Sequence, residues 1–259
     1  MSRPDHQRQR TRYALALSGR ERISRWSALR SDAIVANSRA GLEAYGLGGH
    51  ARAQVIANGV ELRRFEGVVP QRSPNPTVCM VANFSPYKDH PTAIRAMPAI
   101  GRALADSRIV LVGNDAGRLR RARQLVAELS LHDSVRFVHD TAKPEPIVAG
   151  SQVGILTSVR GESCSNAILE YMALGKPVVV TACPGNAGLV QDGASGFLVP
   201  PESPEAVADR VIELLRHPCR AREMGQVGRR LVCEQYSLPR MVAEHESLYD
   251  RILAAGVIV

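Results

Sequence analysis

Two glutamates eight positions apart, Glu162 and Glu170, bracket the stretch of this chain best suited to chemistry. Between them Ser163-Cys164-Ser165-Asn166 form a small polar loop that runs straight into an apolar helical pattern. Gly175-Lys176-Pro177 follows, and then a β-branched run from Val178 to Thr181. A helix start offers free backbone N–H groups and the positive end of a dipole, and both attract phosphate. Carboxylates on either side of that phosphate can accept hydrogen bonds from hydroxyls. Such a device suits a phosphate flanked by hydroxyl-bearing groups, as in a sugar nucleotide. The plainer alternative makes Glu162 a loop acid and Glu170 a solvated helix residue. Against it, Glu170 lies between Leu169 and Tyr171 in a pattern that otherwise reads as buried.

Acid, small residues, Asn, apolar residues, acid, apolar helix and Gly-x-Pro-Val-Val follow in order from Gly161 to Thr181. This wording resembles the E-x7-E motif of retaining glycosyltransferases with the GT-B fold, family 4, also called group 1. The resemblance implies a metal-independent transfer of sugar from a nucleoside diphosphate, with retention at the anomeric carbon and no cofactor. It implies that Glu162 lies against the donor sugar and that the amides of Cys164, Ser165 and Asn166 face the pyrophosphate. Glu170 would accept hydrogen bonds from the ribose hydroxyls. Val81 to His90, VANFSPYKDH, resembles the family's Gly-Arg-x-x-x-x-Lys-Gly/Asp loop, in which Lys88 matches the lysine that contacts the diphosphate. Asn83 stands where arginine is commoner and Ala82 where glycine is, so the charge of Lys88 matters more. Taken alone, Lys88 would read as a surface lysine.

Weaker signals surround these. Gly113 ends a strand where the family brings backbone close to the nucleoside; it also fits a plain strand-ending turn. His139 falls where an apolar-Gly pair near the base is usual, and Gly188 replaces a family carboxylate in Pro184–Val190. There is no Asp-x-Asp, and the histidines have no ligand spacing. Cys164 has no histidine nearby in sequence and reads as a packing residue, not a nucleophile.

These residues need a scaffold, and the pattern from Asn75 onward supplies one. Strands are expected at Thr77–Ala82, Arg108–Val112, Val135–Val138, Val153–Leu156, Val178–Thr181 and Gly196–Val199. Helical patterns fall near Pro91–Ala105, Gly117–Leu129, Asn166–Leu174 and Gly185–Gln191, and three more, Pro204–Arg216, Cys219–Tyr236 and Leu238–Leu253, close the chain. Apolar strands alternating with helices predict an α/β fold, a Rossmann-like parallel sheet covered by helices on both faces. Upstream, Asp32–Ser38 reads as a strand running into an N-capped helix, Arg39–Tyr45. Val55–Val60 reads as a strand and a tight Asn58-Gly59 turn. By resemblance, residues 1–60 are a remnant of the GT-B N-terminal domain and its linker, 61–236 the donor-binding domain, and 237–259 a helix returning toward the first domain. A complete first domain needs about 150 residues, so its missing part implies a fragment, a later start or a complementing polypeptide.

Composition narrows the functions. The net charge is +8, but residues 1–30 hold eight arginines against Asp5 and Glu21, which leaves +2 for the remainder. A nearly neutral main domain with few aromatics in the basic arm argues against nucleic-acid binding. No Gly-x-Gly-x-x-Gly follows a strand, which argues against an NAD enzyme. Ile23, Trp26 and Leu29 recur at helical spacing among Arg20, Arg22, Arg25 and Arg30. The preferred reading packs that stripe on a sheet with the arginines in solvent; the other lays it on an anionic membrane surface. Five scattered cysteines suggest reduced thiols in a cytoplasm, with peripheral contact at the inner face of the membrane as the variant. The expected partners are a nucleotide sugar and a sugar, lipid-linked or small-molecule acceptor.

Overall fold

The computed structural model describes residues 18–256. The chain divides into two compact units, one of residues 1–57 and 242–259, the other Asn58–Met241. The first half of the basic arm, with Tyr13, and the last three residues of the apolar tail lie outside the described residues.

In the smaller unit, helix α1 (Gly19–Ala28) opens with a capping box between Ser18 and Glu21. Strand β1 (Ile34–Ala36) runs into α2 (Arg39–Ala44), whose N-cap Ser38 accepts from the amide of Gly41. Strand β2 (Ala53–Val55) pairs in parallel with β1. Ile34, Leu42 and Leu47 form the buried core, with Leu29 packed against it. The preferred reading of α1 needs correction. Ile23 and Trp26 are 68% and 58% exposed, so only Leu29 of the expected stripe is packed. Nor are the arginines simply solvated. Arg25 Nε donates to the Tyr45 carbonyl at 2.9 Å, and the Arg30 guanidinium lies 3.7 Å from the Trp26 ring centre. Arg30, just past the helix, thus covers the Trp26 indole, and Arg25 ties a loop carbonyl.

The larger unit begins with a short 3₁₀ turn (Leu62–Phe65) and then alternates strands with helices. In order these are β3 (Thr77–Val81), α3 (His90–Ala103), β4 (Arg108–Val112), α4 (Leu119–Glu128), β5 (Val135–Val138), α5 (Glu145–Gly150), β6 (Val153–Leu156), α6 (Asn166–Ala173), β7 (Val178–Thr181), α7 (Pro184–Ala187), β8 (Gly196–Val199), α8 (Pro204–Arg216) and α9 (Pro218–Gln235). Helix α10 (Leu238–Ala254) starts here and ends among the residues of the other unit. The six strands form one parallel sheet in the order β5-β4-β3-β6-β7-β8. Val178, Val179, Val180 and Thr181 are all buried, as a strand covered on both faces requires. The strand order turns back between β3 and β6. At such a switch point the following loops diverge and leave a crevice beyond the carboxyl ends of the strands.

Three local expectations fail for physical reasons. Asn58-Gly59 makes no turn. Asn58 Nδ2 donates to the Cys164 carbonyl at 3.0 Å, and a Cβ on Gly59 would meet Leu238 Cα at 2.7 Å, so the glycine serves close packing. Helix α7 is four residues long because buried Asn186 turns back to donate to the Thr181 carbonyl. Helix α5 has no clear signal in the sequence pattern, since Pro144 and Pro146 interrupt the apolar period, although proline is tolerated in a first turn.

Candidate functional site

The loops after β3 and β6 flank the switch point and carry Lys88 and Glu162. Hydrogen bonds lace the two loops together. Thr157 Oγ1 donates to the Asp89 carbonyl at 2.8 Å, and the Val159 amide donates to the Tyr87 carbonyl at 3.0 Å. Asp89 sits in the left-handed region (φ 44°), which a short polar side chain tolerates, and its carboxylate caps α3 at Thr92. The Lys88 ammonium donates to Glu162 Oε1. Ser158 Oγ donates to the same oxygen at 2.5 Å. The side chain of Glu162 is 6% exposed and that of Lys88 is 29% exposed. Thr181 Oγ1 then donates to the Ser158 carbonyl at 2.5 Å, which ties the pair to β7. A Cβ on Gly185 would come within 2.6 Å of the Glu162 carbonyl carbon, so α7 packs directly on the acidic loop.

Farther along that loop, α6 starts at Asn166 after Ser165, whose side chain makes no capping hydrogen bond. Cys164 and Ser165 are both buried. Burial raises the thiol pKa of Cys164, which suits packing more than nucleophilic attack. Asn58 Nδ2 also reaches Asn166 Oδ1 at 2.8 Å and so steadies the helix entrance. On the opposite side of the switch point, Asn83 is exposed and its Oδ1 accepts from the Asn114 amide at 3.0 Å. Gly113 has φ 155°, and a Cβ there would fall on the Ala82 backbone. Its lack of a side chain lets the ends of β3 and β4 approach. Buried His90 stacks on Phe84 at 4.1 Å and places Nε2 3.2 Å from the Ala82 carbonyl. Burial pushes its pKa down to about 4.

Glu170 has different surroundings. Its side chain is 22% exposed, and among the described residues its carboxylate makes no hydrogen bond. Arg64 Nη1 stands 3.9 Å away, while Arg64 Nη2 donates to Glu145 Oε1 at 2.6 Å. Burial raises the pKa of Glu170; Arg64 lowers it and Glu145 raises it further. Arg64 and Glu145 were not singled out from the sequence. The only hints were a charged residue pair after the linker and an acid between two prolines.

The structure therefore pairs Lys88 with Glu162 across the loops after β3 and β6, and carries Cys164, Ser165, Asn166 and Glu170 farther along the same β6–α6 connection. Asn83 and Gly113 lie together at the ends of β3 and β4. Among the described residues, no three His, Cys, Asp or Glu side chains converge as a metal-ligand set. A cavity of about 710 Å³ opens elsewhere, among residues that begin β3, β4 and β5, and none of the residues named above lines it. No described helix is long and apolar enough to cross a membrane.

Residues 75–217 match the family described as glycosyl transferases, group 1. The chain is 30% identical over 173 residues to N-acetyl-alpha-D-glucosaminyl L-malate synthase of Bacillus anthracis, covering 67% of this chain and 45% of that protein. It is 29% identical over 177 residues to a GDP-mannose-dependent alpha-(1-6)-phosphatidylinositol monomannoside mannosyltransferase of Mycobacterium tuberculosis, covering 65% and 46%. The fold superposes on Anabaena Alr3699/HepE in complex with UDP with a TM-score of 0.77 at 23% identity, over 88% of this chain and 67% of that one. The chain spans about half the length of the curated relatives it matches.

Proposed function

This chain belongs to the glycosyl transferases of group 1, and from that premise we propose that its sheet edge holds the donor of a metal-independent, retaining sugar transfer. The observation that carries the reading is the Lys88–Glu162 pair at the topological switch point, beside an α6 start that no side chain caps. Diphosphate seated there would meet the ammonium of Lys88 and the first amides of α6. Glu162 would lie against the sugar, and Glu170 would accept from the ribose hydroxyls on the other flank. Asn83 and Gly113 would line the nucleoside side.

In the transfer itself, the bond from the anomeric carbon to the phosphate oxygen breaks. The acceptor oxygen bonds to that carbon on the same face, and its proton goes to the departing phosphate. Charge grows on that phosphate, so Lys88 and the helix start act where they lower the barrier most. The relatives' names include a GDP-mannose user, and one superposed structure holds UDP, so uridine and guanosine diphosphates are both reasonable probes. The acceptor, whether sugar, lipid-linked or small molecule, would come against the half of the relatives that this chain does not span. A second reading is a nucleotide-sugar-binding subunit or truncated fragment without transfer activity by itself.

Calorimetric titration of the chain with UDP and GDP, with and without EDTA, tests the donor site. Binding that is indifferent to EDTA is expected. Binding that disappears with EDTA would overturn the metal-independent reading, and no binding of either nucleotide would overturn the site.

A further inference from the structure

Arg64, on the 3₁₀ turn that precedes β3, stands between two carboxylates from different helices. It does not treat them alike. With Glu145 it makes a hydrogen-bonded pair at 2.6 Å, and the Glu145 side chain is 11% exposed. From Glu170 it is 3.9 Å away, beyond hydrogen-bond reach but well within Coulombic range. The guanidinium thus compensates the charge of Glu170 and leaves its oxygen lone pairs unused. A carboxylate that is partly buried, charge-compensated and not hydrogen-bonded is prepared to receive two hydroxyl donors at once.

Resting on the reading that Glu170 meets the ribose, we propose that Arg64 is a positioning residue: anchored on Glu145, it holds Glu170 as an anion for the ribose diol. The charged and titratable groups around this centre are few. Glu170 faces Arg64 from the 3₁₀ turn and Glu145 from α5, with the buried phenol of Tyr171 beside it on α6. Arg64 is further influenced by Glu61. Removing Arg64 removes the only cation among these groups and leaves two acids facing each other. Glu170 then protonates at higher pH, and a protonated carboxyl loses acceptor capacity.

The experiment is a pair of calorimetric titrations of the intact chain, with UDP and with 2′,3′-dideoxyuridine diphosphate. The quantity read is the preference for the nucleotide that carries the diol. For Arg64→Ala, that preference should fall about five- to tenfold at about pH 5.5 and less than about twofold at about pH 8. Arg64→Lys should restore most of it, because a cation is again present. Glu145→Gln should keep the preference at acid pH, because the amide oxygen still accepts from Arg64 while the competing acid is gone. An Arg64→Ala variant whose preference is unchanged at both pH values would overturn the proposal. So would one that loses affinity for both nucleotides equally, since Arg64 would then touch a part they share. Glu170→Ala separates this proposal from the one beneath it. If that variant still prefers UDP, the ribose assignment falls and the proposal falls with it. If it loses the preference while Arg64→Ala does not, the proposal falls alone.

Discussion

Glu162 and Glu170 lie on the same connection, and the molecule treats them in opposite ways. Glu162 is closed in: Lys88 and Ser158 share one of its oxygens, and Thr181 fixes Ser158 from behind. Glu170 is open: a cation stands at 3.9 Å and, among the described residues, no donor reaches it. Several fixed donors hold a side chain to one position, which suits a group that must meet reacting atoms with little freedom. Charge compensation without donors leaves capacity for a ligand. A separation of eight residues gives no sign of this; the difference arises from what β3, β7, α5 and the 3₁₀ turn bring to each acid.

The largest effect that tests this contrast is on transfer. Glu162→Gln should lower the rate about 10²–10³-fold while nucleotide affinity changes less than about threefold. The check is steady-state kinetics beside calorimetry. An equal loss of bare-nucleotide affinity would erase the distinction between the two acids. Next in size, Glu170→Ala should weaken UDP binding by roughly 1.5–3 kcal/mol, the range for hydrogen bonds to a charged group. If calorimetry gave no loss, Glu170 would be a helix residue without a ligand.

A smaller effect concerns acid. His90 supports the loop that carries Lys88 and has no counterpart near Glu170. Its pKa is lowered from 6.5 to about 4 by burial, so the unfolded chain binds this proton first as pH falls. Stability should therefore be lost as pH drops from 6.5 toward 4, by roughly 1–3 kcal/mol for this group, with the full contribution present above that window. Urea denaturation at several pH values should show His90→Phe flattening that slope. An unchanged slope would mean that the acid response lies elsewhere.

Five of the six sheet strands could be placed to the residue from sequence, because runs such as Val178–Thr181, β-branched throughout and preceded by Gly175-Lys176-Pro177, stand out from the helical patterns around them. The acidic loop was equally plain, since its residues are contiguous. Arg64 was not, because its partners Glu145 and Glu170 lie 81 and 106 positions away and only the closed sheet brings them together. Asn58-Gly59 misled for a related reason. The dipeptide favours a hairpin locally, but contacts with Cys164 and Leu238 decide its conformation. Exposure of Ile23 and Trp26 was also hidden, since helical spacing alone does not say what lies opposite the apolar stripe.

Tyr171 follows Glu170 in α6 and is buried under the sheet. Its phenol oxygen accepts from the Val81 amide at 2.5 Å and lies 3.4 Å from the Ile155 carbonyl. The ring occupies room left by Gly154, where a Cβ would meet it at 2.5 Å. The Val81 amide, at the last residue of β3, can therefore exchange its proton with solvent only when α6 lifts off the strands. In deuterium exchange, the end of β3 and the helix carrying Glu170 should become accessible together as one opening unit, at a rate set by that lift and not by fraying of the strand.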